Sequence, residues 1–154
     1  MADPFSVAGT AVGITSLGIQ VCQGAFQYYA RFRSYHNDIE VVVQRTEGLV
    51  RLLKTLDSTR KNIELNNDEP SEQLLLALMA CDSELQKLQN TMKKFGQTKL
   101  PGSLQEMSGL VRKRLLWPFR KDTLLEIQTV LSTLQDNLHL ALQIMDVYVC
   151  MRGD

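Results

Sequence analysis

From Pro4 to Ala30 the chain carries no charged side chain, and Gly9, Gly13, Gly18 and Gly24 punctuate the run. A helix over this stretch is about 40 Å long at about 1.5 Å per residue. It is therefore long enough either to cross a bilayer, which takes roughly 20 mostly apolar residues, or to form the central helix of a bundle. A secretory signal is not expected: such signals open with a basic segment, and the first Lys or Arg here is Arg31. Ser6, Gly9, Thr10, Gly13, Ser16, Gln20, Gln23 and Gln27 step by three or four, so small and polar residues share one helical face. The remaining circumference is apolar. That pattern predicts a helix buried on most sides with a thin polar seam. Each interior glycine costs about 1 kcal/mol of helix propensity relative to alanine, so packing must hold the helix. Gly9 and Gly13 form a GxxxG, a spacing that lets helices approach closely.

The rest of the chain reads as helices too. Asp3-Pro4 supplies an N-cap and a first-turn proline, and the first helix runs to about Phe32. After a polar break at residues 34–38, Ile39, Val42, Val43, Thr46, Leu49, Val50, Leu53 and Leu56 mark a second helix, ending in a polar loop over 62–69. Pro70 opens a third. Its Leu74, Leu78, Cys81, Leu85, Leu88, Met92 and Phe95 keep a 3.5-residue period until Gly96. Ser103 caps a short helix ending near Leu116, Trp117-Pro118 imposes a break, and Asp122 caps the last helix. That helix carries Leu124, Ile127, Leu131, Leu134, Leu138, Ala141, Met145 and Tyr148 on one stripe. No strand-like alternation or internal repeat is present. The expected fold is all-α: an up-and-down bundle of four long helices and one short one in a single domain over 1–154. The bulky ladders of the third and last helices are expected to interdigitate over the glycine-bearing first one.

Catalytic and metal chemistry is not expected, and neither is a cofactor. His36 and His139 are the only histidines, and no His, Cys or carboxylate pairs with them at i+3 or i+4 except Glu40. No phosphate-loop glycine pattern occurs. Cys22, Cys81 and Cys150 are odd in number and lie in apolar helical contexts. With no Asn-x-Ser/Thr sequon, they point to buried thiols in a reducing, cytosolic compartment.

A net charge of zero hides an asymmetry. Between Lys87 and Lys121 nine Lys and Arg face one acid, Glu106, whereas from Asp122 onward five acids face Arg152. Lys93, Lys94, Lys99, Arg112, Lys113, Arg114, Arg120 and Lys121 flank the turns at Pro101 and Pro118. They form either a solvated face or a patch for anionic lipid, to which each cation near the surface adds about 1 kcal/mol. Nucleic acid ranks below both, because no reader motif or stacking pattern accompanies them. Trp117 and Phe119 among these cations suit either a headgroup-level position or a cap on the bundle.

Residues 1–24, Met-Ala-Asp-Pro-Phe-Ser-Val-Ala-Gly-Thr-Ala-Val-Gly-Ile-Thr-Ser-Leu-Gly-Ile-Gln-Val-Cys-Gln-Gly, resemble the opening of the fungal HeLo-like N-terminal domains. The Trp117-Pro118-Phe119 break and the last helix with Leu138-His-Leu-Ala-Leu-Gln143 are similar to that family too. Its members head NOD-like receptors, ankyrin-repeat proteins and amyloid-signalled cell-death effectors. The mixed-lineage kinase domain-like necroptosis bundle is a more distant relative. The resemblance implies a membrane-targeting, pore-forming cell-death domain of fungal innate immunity and heterokaryon incompatibility. Such a domain is cytoplasmic at rest and moves to the plasma membrane when a downstream sensor or amyloid-signalling partner drives its self-association. It implies that Phe5, Val7, Gly9, Val12, Gly13, Ile14, Leu17, Gly18, Ile19, Val21 and Phe26 enter the membrane. Gly9 and Gly13 would then be contact positions, with Arg31 and Arg33 holding the cytoplasmic end. The alternative is a non-lytic homotypic adaptor module.

Overall fold

The structure, a computed structural model, describes residues 7–65, 72–96 and 117–151, and the side chains of 11–61, 72–94, 118–147 and 150. Four long α-helices account for most of it: α1 (Val7–Ala30), α2 (Asn37–Leu65), α3 (Glu72–Gly96) and α4 (Lys121–Met151). A single 3₁₀ turn, Trp117–Phe119, leads into α4. Among the described residues there is no strand. The predicted start at Asp3-Pro4, the opening of α3 at Pro70 and the short helix from Ser103 to Leu116 lie outside the described residues.

The apolar ladders become the core as their spacing requires. Leu74, Leu78, Cys81, Leu85 and Leu88 of α3 are buried, as are Leu124, Ile127, Leu131, Leu134, Leu138, Ala141 and Met145 of α4. Ile39, Val42, Val43, Leu49, Leu53 and Leu56 of α2 meet them, and Thr46 is buried on the same helix. Each fully buried Leu or Ile contributes about 1.5–3 kcal/mol relative to exposure. Burying the Thr15 and Thr46 hydroxyls costs little, because each donates back along its own helix, to the Val12 and Val43 carbonyls at 3.1 and 2.8 Å.

Helix ends follow local chemistry. Glu72 opens α3, and Lys93 with Lys94 closes it, each complementing the dipole end it occupies. Three ends differ from the sequence reading. α1 stops at Ala30, and the chain tightens through i→i−3 bonds from Phe32 to Tyr29 (2.9 Å) and from Tyr35 to Phe32 (3.0 Å). α2 continues to Leu65, through the first residues of the expected loop. Asp57 supports it there, taking Arg60 and Lys61 from the next turn, the latter at 3.3 Å. α4 begins at Lys121, with the Leu124 amide donating to the Arg120 carbonyl at 2.9 Å, so Asp122 is a first-turn acid rather than the cap. His36 caps α2: its Nδ1 accepts the Asp38 amide at 3.0 Å.

Packing places the helices at the corners of a square. α1 touches α2 and α3, and α4 touches the same two. α1 is therefore a corner helix, not a central one. Two bonds fix directions. Tyr29 near the end of α1 reaches Pro118 ahead of α4, and Gln128 early in α4 reaches the Asp38 carbonyl at the start of α2. The end of α1 and the starts of α2 and α4 therefore share one end of the bundle. The six residues between α2 and α3 span at most about 25 Å, too little to return along an α2 of about 43 Å, so α3 runs antiparallel to α2. The helices alternate up and down. Consecutive α2 and α3 occupy opposite corners, and α1 lies parallel to its neighbour α3.

Candidate functional site

α1 presents two different faces. Ala11, Ile14, Gly18, Val21, Cys22, Ala25 and Tyr29 point into the bundle. Gly13, Ser16, Gln20, Gln23, Gly24 and Gln27 face solvent, so the polar seam read from the sequence is, from Gly13 onward, the outer face of a corner helix. Val12 joins it at 42% exposure. Among the residues assigned to membrane entry, Ile14, Gly18 and Val21 are buried, while Leu17, Ile19 and Phe26 are half-buried against the core. Val7 and Gly9 belong to α1, but their surroundings lie outside the described side chains, and Phe5 lies outside the described residues.

The glycines divide in the same way. A Cβ on Gly18 would sit 2.8 and 2.9 Å from the two Leu53 methyls and 3.3 Å from Leu85 Cδ1. Gly18 is therefore where α2 and α3 close onto α1. Gly13 and Gly24 meet nothing within 4 Å. The bundle needs the first glycine and makes no demand on the other two. Gly13 of the GxxxG is thus not where a neighbouring helix closes in. The signal that locates the close approach is register: Gly18 lies four residues after Ile14 and four before Cys22, on the apolar stripe.

The end of the bundle where α1 stops carries cations. Arg31, Arg33, Lys93, Lys94, Arg120 and Lys121 are exposed, and the helix directions bring all six toward this end. Lys99, Arg112, Lys113 and Arg114 lie outside the described residues. Carboxylates temper the field. Arg33 donates Nε and a terminal nitrogen to Glu40, both at 2.8 Å, and Gln44 adds a third bond to the same carboxylate at 3.1 Å. The hydrogen bonds from Arg33 hold Glu40 below the usual carboxylate range, and Glu40 in turn raises Arg33. Arg33 therefore serves the α1–α2 turn as well as the cationic end.

Sequence reasoning left the aromatic residues here unassembled. Phe119 stacks on Tyr28 with centroids 5.8 Å apart and planes at 13°, and meets Phe32 at 4.7 Å and 64°. Tyr29 lies edge-on to Phe119 and donates its hydroxyl to the Pro118 carbonyl at 2.9 Å. Burial, with Tyr28 beside it, pushes the Tyr29 phenol far above its ordinary range, so it remains a donor. Of the two readings offered for this turn, Phe119 thus takes the cap on the bundle.

Two of the thiols lie in the core. Burial pushes the Cys22 and Cys81 thiols up to about 12, which suppresses the reactive thiolate. Among the described residues no group of three His, Cys, Asp or Glu side chains is placed to hold a metal ion. A shallow groove of about 340 Å³ runs between α1 and α2, with Phe26 and Val50 in it and Arg51 and Lys54 alongside. Leu76 and Met79 on α3 and Leu140 and Val147 on α4 are exposed large apolar residues. Among the described residues no helix is long and apolar enough to cross a membrane.

The chain is 29% identical over 140 residues to the azaphilone pigments biosynthesis cluster protein L of Monascus ruber, a match covering 90% of this chain and 29% of that protein. The chain thus spans less than a third of the length of the curated relative it matches. No family model matches the chain, and no solved structure matches it.

Proposed function

We propose that this bundle is the membrane-targeting domain of a longer protein, with α1 docked at rest and released to damage the membrane when a downstream region self-associates. On the resemblance set out above, the setting is programmed cell death in fungal innate immunity, as a HeLo-like execution domain. The observation that carries the reading is the outer face of α1. It holds no charge, and Gly13 and Gly24 stand there in open space, each costing about 1 kcal/mol of helix propensity with no return from the resting bundle. Such glycines make sense in a second state in which other helices approach that face. The reading also answers why a single α1 is not apolar enough to span a bilayer. Ser16, Gln20, Gln23 and Gln27 must be covered by neighbouring copies or lie at the headgroup level. The exposed Lys93, Lys94, Arg120 and Lys121 would draw that end toward anionic lipid. The far greater length of the pigment-cluster relative is in keeping with a domain within a larger chain.

A non-lytic homotypic adaptor is the second reading. The exposed Leu76, Met79, Leu140 and Val147 favour it, since they offer apolar surface for self-association on helices that need not move.

Dye leakage from vesicles containing anionic lipid, with and without forced oligomerisation of the domain, separates the two. The first reading expects leakage that requires anionic lipid and residues 1–30 and is lost in Leu17→Asp. Gly13→Leu, on the solvent face, should fold normally and leak less. Leakage that survives removal of residues 1–30 and Leu17→Asp would sink the first reading. Oligomers that form without leakage would leave the adaptor.

A further inference from the structure

The aromatic contact at the end of α1 joins two elements that the square arrangement otherwise keeps apart. α1 and α4 occupy opposite corners, each packing on α2 and α3. The Trp117–Phe119 turn at the head of α4 crosses that diagonal. Its Pro118 carbonyl takes the Tyr29 hydroxyl at 2.9 Å, and its Phe119 ring lies against Tyr28, Tyr29 and Phe32. The hydrogen bond is buried, where a lost partner leaves the carbonyl without the donor that satisfies it. Directly after the turn come Arg120 and Lys121, both exposed.

We propose that the Trp117–Phe119 turn is a latch on α1: the Tyr29–Pro118 hydrogen bond and the Phe119 ring contacts hold the C-terminal half of α1 on the bundle, and a polyanionic surface that engages Arg120 and Lys121 pulls the latch open. The inference rests on the reading that α1 leaves the bundle, and it adds the contact that must break first and the groups that break it. Glu40 is held by Arg33, and Asp122 lies in the first turn of α4. Among the described residues, Asp122 follows Arg120 and Lys121 directly in sequence, and anion binding at these two cations competes with its carboxylate. The length of α1 beyond the latch is seated by van der Waals contact around Gly18. Releasing the latch therefore loosens the end of α1 before its middle.

Amide hydrogen exchange on the whole chain tests this without reference to leakage. Tyr29→Phe keeps the ring and removes the hydroxyl, and Phe119→Leu keeps an apolar side chain but removes the stacked ring. Each variant should raise exchange in residues 20–30 by about five- to tenfold, the ratio expected for one buried hydrogen bond in Tyr29→Phe and for one aromatic contact in Phe119→Leu, with α2, α3 and the body of α4 unchanged. Vesicles of phosphatidylserine and phosphatidylcholine should produce the same local increase in the wild type and not in Arg120→Gln/Lys121→Gln. Wild-type exchange over residues 20–30 in both variants, or equal acceleration in all four helices, would overturn the latch. Selective release of α1 without leakage in any variant would keep the latch and remove the membrane-damage reading.

Discussion

Gly13, Gly18 and Gly24 of α1 should answer to substitution in opposite directions. Gly13→Ala and Gly24→Ala add a methyl where nothing lies within 4 Å. Each should gain about 1 kcal/mol of helix propensity. Together they raise stability by about 2 kcal/mol, or about 4–8 °C in Tm for a chain of this size. Gly18→Ala gains the same propensity but places its Cβ 2.8 and 2.9 Å from the Leu53 methyls and 3.3 Å from Leu85. Leu53 and Leu85 are fully buried and have little room to yield. Overpacking of this kind costs about 1–3 kcal/mol, so the net change runs from neutral to about 2 kcal/mol destabilising. Leu53→Val frees about one methylene of space at a cost of about 0.8 kcal/mol. Combined with Gly18→Ala, it should cost less than the sum of the two, by about 0.5 kcal/mol or more for groups in contact. Urea and thermal unfolding followed at 222 nm measure all of these. If Gly18→Ala stabilised as much as Gly13→Ala, or if the pair with Leu53→Val were additive, α1 would not be seated between Leu53 and Leu85.

Three further outcomes follow from the side-chain environments. Cys150 is exposed while Cys22 and Cys81 are buried, so a thiol reagent at pH 8 should label the native chain rapidly at Cys150 alone. Fast labelling that persists in Cys150→Ser would contradict that burial. The carboxyls of Glu40 and Asp57 titrate below their ordinary values, held chiefly by hydrogen bonds from Arg33 and Arg60. The unfolded chain therefore binds protons first, and their contribution is complete above about pH 5 and lost as pH falls through the lower folded values. An acid unfolding curve of Glu40→Gln should fall less steeply below pH 4.5 than wild type, and an unchanged slope would count against the ion pair. Tyr29 is displaced in the opposite direction, upward by burial. Above about pH 10 the unfolded chain loses a proton that the folded chain keeps, so stability should decline with rising pH. Tyr29→Phe should lose part of that decline, and an identical alkaline limb would refute the burial of the phenol.

Periodic features were readable from the sequence. Leucines repeated at three and four residues, as from Leu74 to Leu88 and from Leu124 to Leu138, admit one buried stripe on one kind of element, and burial follows. Gly96 and Pro118 punctuate the chain because their backbone chemistry is local. Features that depend on distant partners were not readable. Tyr29 and Pro118 lie 89 positions apart, and nothing near either residue names the other. The placement of α1 at a corner depends on which helices share faces, and a stripe says only that some face is covered. Gly13 and Gly18 look alike as glycines in an apolar run. Only their phase relative to Ile14 and Gln20 separates them: Gly13 shares the polar face with Ser16 and Gln20, and Gly18 falls on the apolar stripe with Ile14 and Cys22. His36 as a cap of α2 was missed because a capping role is ordinarily sought in Ser, Thr, Asp or Asn.

Placing α2 and α3 at opposite corners also has a consequence for the order in which the chain assembles on the ribosome. When α2 has emerged, it can pair with α1 through the short turn at residues 31–36. When α3 emerges, it can add only to the α1 side, because its other partner, α4, is still to be made. The faces of α2 and α3 that await α4 stay open until the final 31 residues of the described structure have appeared. Local pairing of α1 with α2 is quick, since contacts close in sequence form fastest. The uncharged helix is thus covered on one side from early in synthesis, while closure of the square waits for the last helix.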